Sequence, residues 1–202
     1  MSGQNKTSVS VAIFASGAGS NAEKIIEQTL LSPGGESGSF KISLIVCNKP
    51  DAGVLNIAFN YDIETQLIEK EQFFKGDSYI PVLREKGIQF IILAGFLWKV
   101  PVSLIRAYPN KIVNIHPALL PKYGGKGMYG DKVHQAIIAA GEKESGITIH
   151  YVDELYDHGS IIFQANCDIN ENDTPESLAK KVHSLEHQYY PEVIEGLLKD
   201  AK

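Results

Sequence analysis

The stretch Val9-Ser10-Val11-Ala12-Ile13-Phe14-Ala15-Ser16-Gly17-Ala18-Gly19-Ser20-Asn21-Ala22 decides the fold class, because it runs from β-forming apolar residues through a glycine turn into a helix. The helix is read over Ala22–Leu31, with Ile25, Ile26 and Leu30 on one stripe. Downstream the pattern repeats. Pro33–Ser39 reads as a Gly/Ser loop, Lys41–Cys47 as a second buried-type strand and Ala52–Asn60 as a helix. Gln66–Ile68 reads as a brief third strand, Tyr79–Lys86 as a helix, Phe90–Ala94 as a fourth strand and Ile112–Ile115 as a fifth. Strands alternating with helices at this spacing imply βαβ units and a mostly parallel sheet. Its crossovers should be right-handed, with ligands at the carboxyl ends of the strands.

After a helix over Val133–Ala140 the texture changes. Thr148–Val152 alternates, a turn follows around Asp157–Gly159, and Ser160–Asp168 reads as a strand. Together they predict a hairpin-type antiparallel addition at the sheet edge. Thr174 is placed to cap a helix with Pro175 at its first position. Leu178, Val182, Leu185 and Tyr189 form the expected buried stripe, and Pro191 is expected to break the helix or to start a final short one.

Size and composition set the outer bounds. The chain has 202 residues, 44% of them hydrophobic and 21% charged, as in an ordinary globular domain. A single domain over 1–202 is expected, with 1–8 as a flexible N-terminal segment. A net charge of -5 argues against a nucleic-acid coat but leaves room for a local cluster that binds a small anion. The two cysteines, Cys47 and Cys167, sit in apolar runs and read as buried reduced thiols. The polar start shows no secretory signal, and no apolar run is long enough to span a membrane, so a cytoplasmic location is the expectation.

The turn Ser16–Ala22 carries the first chemical signal. Glycines permit backbone shapes closed to other residues, and the helix start offers unpaired N–H groups to an anion. A tight βα turn with no ligand is the plain alternative. Gly17, Gly19 and Ala22 also satisfy a dinucleotide fingerprint, which requires an acid at the end of the second strand for the ribose. That strand ends in Cys47-Asn48-Lys49, with Asp51 only nearby, and no Walker lysine follows the loop. A phosphate monoester suits the loop better than a dinucleotide or ATP.

The second signal is Asn114-Ile115-His116-Pro117. Residues two apart in an extended chain share a side, so Asn114 and His116 face together while Ile115 points to the core. Pro117 holds His116 extended where the strand leaves the sheet. An amide donor beside an imidazole can polarise an acyl oxygen and stabilise a tetrahedral oxyanion. Structural hydrogen bonding at a strand end accounts for the pair equally well. Asp157, in Tyr156-Asp157-His158-Gly159, is the carboxylate that would favour a protonated histidine, although such turns are also common on surfaces. His183 and His187 lie four apart on the last helix, a spacing that zinc can use, but no metal is expected.

These residues resemble the phosphoribosylglycinamide formyltransferases, folate-dependent enzymes of purine synthesis. The resemblance runs from Val9 to about Leu198. It is carried by Ser-Gly-Ala-Gly-Ser-Asn at 16–21, Leu-Ala-Gly-Phe at 93–96 and Asn-Ile-His-Pro-Ala-Leu-Leu-Pro-Lys-Tyr at 114–123. Gly146-Ile-Thr-Ile-His150 and Asp157-His-Gly-Ser-Ile-Ile-Phe-Gln164 extend it. The resemblance implies a Rossmann-like three-layer α/β/α fold. It also implies transfer of the formyl group of 10-formyltetrahydrofolate, a co-substrate, to glycinamide ribonucleotide without a metal.

By the same resemblance Asn114 and His116 are oxyanion stabiliser and general acid, and Asp157 supports the histidine. Gly19, Ser20 and Asn21 take the substrate phosphate, Glu186 holds the ribose with His183 beside it, and Leu97, Trp98, Lys99 and Val100 line the folate pocket. The chain departs from the family at Trp98, where a basic residue is common, with Lys99 beside it, and Lys75 is the candidate to replace a basic folate-tail contact seen upstream. A second departure is the longer loop Gly124–Gly130.

The implied partners are small molecules, with no nucleic acid and no membrane, and a homodimer is carried as an expectation. A methionyl-tRNA formyltransferase normally adds a basic C-terminal domain, and none is expected here. Another folate-dependent N-formyltransferase and a nicotinamide-dependent oxidoreductase stay open as alternatives.

Overall fold

The computed structural model describes residues 8–30, 40–75 and 77–200. The expected N-terminal segment, apart from its last residue, and the Pro33–Ser39 loop lie outside the described residues. In chain order the elements are β1 (Val9–Ala15), α1 (Ser20–Leu30), β2 (Phe40–Cys47), α2 (Val54–Asn60), β3 (Thr65–Leu67), α3 (Lys70–Phe74) and α4 (Ile80–Glu85). There follow β4 (Phe90–Leu93), α5 (Val102–Ala107), β5 (Ile112–His116), α6 (Asp131–Ala139), β6 (Glu144–Tyr151), β7 (Ile161–Asp168) and α7 (Pro175–Asp200).

The strands form one sheet in the order β3-β2-β1-β4-β5-β6-β7. Pairing is parallel from β3 to β5, while β6 runs antiparallel to both β5 and β7. The parallel strands are apolar on both faces, and strict alternation divides them between two cores. Val11, Ile13, Ile45, Ile92 and Val113 pack on one face with α1, α2, α6 and α7. Ala12, Phe14, Leu44, Ile91 and Ile112 pack on the other with Phe73, Leu83 and Leu104 of α3, α4 and α5. Burial on both faces explains why these strands read as continuous apolar runs. The three layers expected from the resemblance are present.

The order also fixes where a site can form. β1 and β4 lie side by side at the middle of the sheet, and β5 follows, so the loops after these strands share one carboxyl edge. There the Leu97 N–H donates to the Ser16 hydroxyl at 2.9 Å, tying the loop after β4 to the glycine loop after β1.

Three expectations are corrected. α7 runs unbroken through Pro191 for 26 residues. An interior proline removes one backbone bond and costs about 3 kcal/mol. Tyr190, Ile194 and Leu198 are fully buried around it, and each such side chain contributes about 1.5–3 kcal/mol. The buried stripe is Leu178, Val182, Glu186, Tyr190, Ile194 and Leu198, whereas Leu185 and Tyr189 are half-buried at its margin. Cys167 is only half-buried, because β7 alternates between exposed and covered positions; Cys47 is buried as expected. At the helix start the Thr174 hydroxyl accepts from the Ser177 N–H at 3.2 Å, which is the expected cap.

Candidate active site

A cavity of about 550 Å³ opens at the carboxyl edge of β4 and β5. Asn114 and His116 reach its wall from the carboxyl end of β5, as their two-residue spacing requires. β6 pairs antiparallel with β5, which places His150 directly opposite Asn114.

Hydrogen bonds fix the state of His150. Its Nδ1 lies 2.8 Å from the Tyr151 carbonyl, an oxygen that only accepts, so Nδ1 carries the proton. Burial pushes the His150 pKa down, keeping the ring neutral. Its Nε2 is therefore an acceptor, and the Asn114 amide donates to it at 3.1 Å. This bond orients the Asn114 amide and leaves its second N–H for a substrate oxygen.

His116 is 3% exposed, and each of its ring nitrogens faces an oxygen. Nε2 donates to the Tyr123 carbonyl at 2.8 Å, and Nδ1 lies 3.6 Å from Asp157 Oδ2. The second Asp157 oxygen lies 3.7 Å from His150 Nε2. The carboxylate is held in place by the Gly125 N–H, which donates to Oδ2 at 2.9 Å. An imidazolium at position 116 thus has an acceptor at each nitrogen, so the ring can carry positive charge beside a developing oxyanion. For His116 to donate to a substrate oxygen, it must exchange the Tyr123 carbonyl. Tyr123 and Asp157 both occupy the left-handed region, with φ of 55° and 53°. Off glycine that backbone costs about 1–3 kcal/mol, offset here by the contacts just described.

The segment after β5 is pinned from beneath. The Thr148 hydroxyl donates to the Ala118 carbonyl at 2.7 Å and accepts from the Leu120 N–H at 2.9 Å. The Gln164 amide donates to both the Thr148 hydroxyl and the Leu120 carbonyl, at 2.8 and 3.1 Å.

Two arms leave this centre. The first lies on the α1/α7 face. The Asn21 amide and His183 Nδ1 both donate to Glu186 Oε2 at 2.9 Å, which raises the His183 pKa. A 5%-exposed carboxylate with two donors, next to a histidine that favours its charged form, suits a hydroxyl-bearing, anionic group. Gly19 shapes the turn before it. Its φ is +88°, and a Cβ there would meet Val54 at 2.8 Å. The second arm lies on the opposite face of the sheet, where Phe96, Trp98 and Val100 join the core with Phe73. Trp98 contacts Phe73 and Phe74 at centroid distances of 5.7 Å, and Lys99 Nζ stands 5.3 Å from the Tyr156 ring.

The family model described as formyl transferase matches residues 9–194. The chain belongs to the formyl transferase family. Its similarity to phosphoribosylglycinamide formyltransferase of Bacillus subtilis is 41% identity over 191 residues, covering 93% of each chain. The chloroplastic phosphoribosylglycinamide formyltransferases of Arabidopsis thaliana and Vigna unguiculata are 43% and 44% identical over 94% of this chain. The chain spans 65% and 61% of the length of those two plant relatives. Among solved structures, phosphoribosylglycinamide formyltransferase from Bacillus halodurans superposes with a TM-score of 0.85 at 36% identity, covering 96% of this chain and 97% of that one.

The cavity brings together Asn114, His116 and Asp157, Asn21, His183 and Glu186, and Leu97, Trp98, Lys99 and Val100. Gly19 and Ser20 stand just before Asn21 at the start of α1 but do not line the cavity. Lys75 follows α3, pairs with Glu71 four residues back at 2.6 Å, and does not line the cavity. The loop 124–130 does line the cavity, through Gly125 to Gly130. Among the described residues no group of three or more His, Cys, Asp or Glu converges as metal ligands; the His183 and His187 rings lie 6.1 Å apart. Sequence reasoning missed the parts played by His150 and the Tyr123 carbonyl. For His150 the only signal is its register opposite Asn114, which exists once β5 and β6 pair.

Proposed function

We propose that the chain transfers the formyl group of 10-formyltetrahydrofolate to the primary amine of glycinamide ribonucleotide, a step of de novo purine biosynthesis. One observation carries the reading: Asn114, His116 and Asp157 sit at the sheet edge between a polar arm on one face and an aromatic arm on the other. The polar arm, Asn21, His183 and Glu186, suits a ribose phosphate. The arm of Leu97 to Val100 suits a planar heterocycle. The names of the relatives support the same acceptor.

In the reaction the amine nitrogen attacks the formyl carbon and a C–N bond forms. The formyl oxygen becomes an oxyanion, facing the free N–H of Asn114 and the His116 imidazole. The bond from that carbon to folate N10 then breaks, and the proton lost by the amine passes to N10, with Asp157 the nearest carboxylate to the histidine. Products are the formylated amide and tetrahydrofolate.

The reading extends to partners and place: two small-molecule substrates, no nucleic acid, a homodimer, and the cytoplasm. Among the described residues no helix is long and apolar enough to cross a membrane.

The test mixes enzyme, 10-formyltetrahydrofolate and glycinamide ribonucleotide and follows tetrahydrofolate release. Release that depends on the acceptor is expected. No release, with quenching of NADH fluorescence instead, would overturn the proposal in favour of a dehydrogenase.

A further inference from the structure

His134 is a cavity-lining residue that the mechanism above does not use. It lies on α6, is 4% exposed, and has no hydrogen-bond partner for Nδ1. Asn21 Oδ1, on the wall of the same cavity, is also buried and unpartnered. Buried polar atoms in folded proteins find partners in the great majority of cases, so two orphans in one cavity mark a place where a ligand completes the bonding.

Four charged or titratable groups act on His134. They are His183 and Glu186 on α7, Asp131 on its own helix, and His116 on β5. It therefore shares one cavity wall with the acid assigned above to the ribose and the histidine assigned to the reacting carbon, within electrostatic reach of both. In the acceptor, the group between ribose and amine is the amide that links them.

We propose that His134 is a binding residue for the acceptor, its imidazole accepting a hydrogen bond from the amide N–H that joins ribose to the glycyl unit. The inference rests on the acceptor proposed above. Burial pushes the His134 pKa down, with the neighbouring His183 acting the same way, so the ring is neutral and keeps one nitrogen free to accept. The contact fixes the glycyl chain in the direction of Asn114 and His116. It also selects an amide-linked acceptor over one of equal size without the N–H.

The test compares glycinamide ribonucleotide with an analogue carrying CH2 in place of that N–H, on wild type, His134→Phe and His134→Gln. Wild type is expected to prefer the amide by about 3- to 10-fold in kcat/KM, the range of one neutral hydrogen bond. His134→Phe should lower that preference to less than 2-fold, and His134→Gln, which keeps an acceptor oxygen, should restore part of it. A purely structural role would slow both acceptors equally and leave the ratio unchanged.

An unchanged ratio in His134→Phe overturns the inference, as does a wild type that fails to discriminate. Should His134→Phe fail to fold, His134→Ala, which also lacks an acceptor, takes its place with the same expected ratio. Absence of tetrahydrofolate release from wild type with glycinamide ribonucleotide overturns the proposed function itself, a separate outcome.

Discussion

Replacing Thr148 by Val should loosen the active site from beneath without touching substrate. Thr148 is fully buried, and its hydroxyl makes three hydrogen bonds, to the Ala118 carbonyl, the Leu120 N–H and the Gln164 amide. Valine keeps the shape and removes all three. The Gln164 amide retains the Leu120 carbonyl, but the Leu120 N–H and the Ala118 carbonyl lose their Thr148 partner. Each unpaired buried group costs about 1–3 kcal/mol, so the loss is about 2–6 kcal/mol. Against a usual domain stability of roughly 5–15 kcal/mol this is large. At about 2–4 °C per kcal/mol for a chain of this size, a loss of about 4 kcal/mol lowers Tm by about 8–16 °C. The same segment carries the Tyr123 carbonyl that holds His116 Nε2, so kcat should fall with little change in either KM. Thr148→Ser keeps the hydroxyl and should lose about 1 kcal/mol for its missing methyl. Urea unfolding followed by fluorescence of Trp98, the sole tryptophan, gives the stabilities, and initial rates give kcat. A valine variant as stable and as active as the serine variant would refute the reasoning.

His116→Ala should lower kcat by about 100- to 10,000-fold while folate affinity, read by quenching of Trp98, stays within a few-fold; near-normal turnover sinks the catalytic assignment. Gly19→Ala forces a Cβ to within 2.8 Å of Val54 at a φ of +88°, so stability should fall by about 1–3 kcal/mol and KM for the phosphorylated acceptor should rise more than the folate Kd. Equal changes in the two constants would argue against a phosphate site. Unfolding free energy should decline as pH falls. Burial lowers the pKa values of His134, His150 and His187 from 6.5, so the unfolded chain binds protons that the native one refuses. Their contribution is full above 6.5 and is lost as pH falls through the lowered values. His183, raised by Glu186, opposes the trend, since its contribution is full below 6.5 and is lost as pH rises through the raised value. Urea titrations from about pH 5 to 8 that show no decline on the acid side would contradict the burial of these rings.

The parallel half of the fold was legible because doubly buried strands leave an unmistakable apolar run. The short helix α3, at five residues, spans less than two turns and left no period to read. Pro191 misled for a different reason. Its local preference is to end a helix, and only the core that receives Tyr190, Ile194 and Leu198 overrides it. Leu185 and Tyr189 were misjudged because α7 crosses from the β6–β7 edge toward α1, so its buried stripe follows the contacts it meets.

The sequence by itself determined the βα order, the glycine turn, the antiparallel addition, and the side on which Asn114 and His116 project. All of these depend on residues near one another in the chain, whose spacing sets geometry directly. Tertiary structure alone decided what those side chains touch. His150 orients Asn114 from a neighbouring strand, Asp157 approaches two histidines from a loop, and the Tyr123 carbonyl takes His116 Nε2. Tertiary structure also placed Lys75 at a surface helix end, paired with Glu71. Such contacts depend on strand register and loop path, which come from the packing of the whole sheet and leave no period in the sequence.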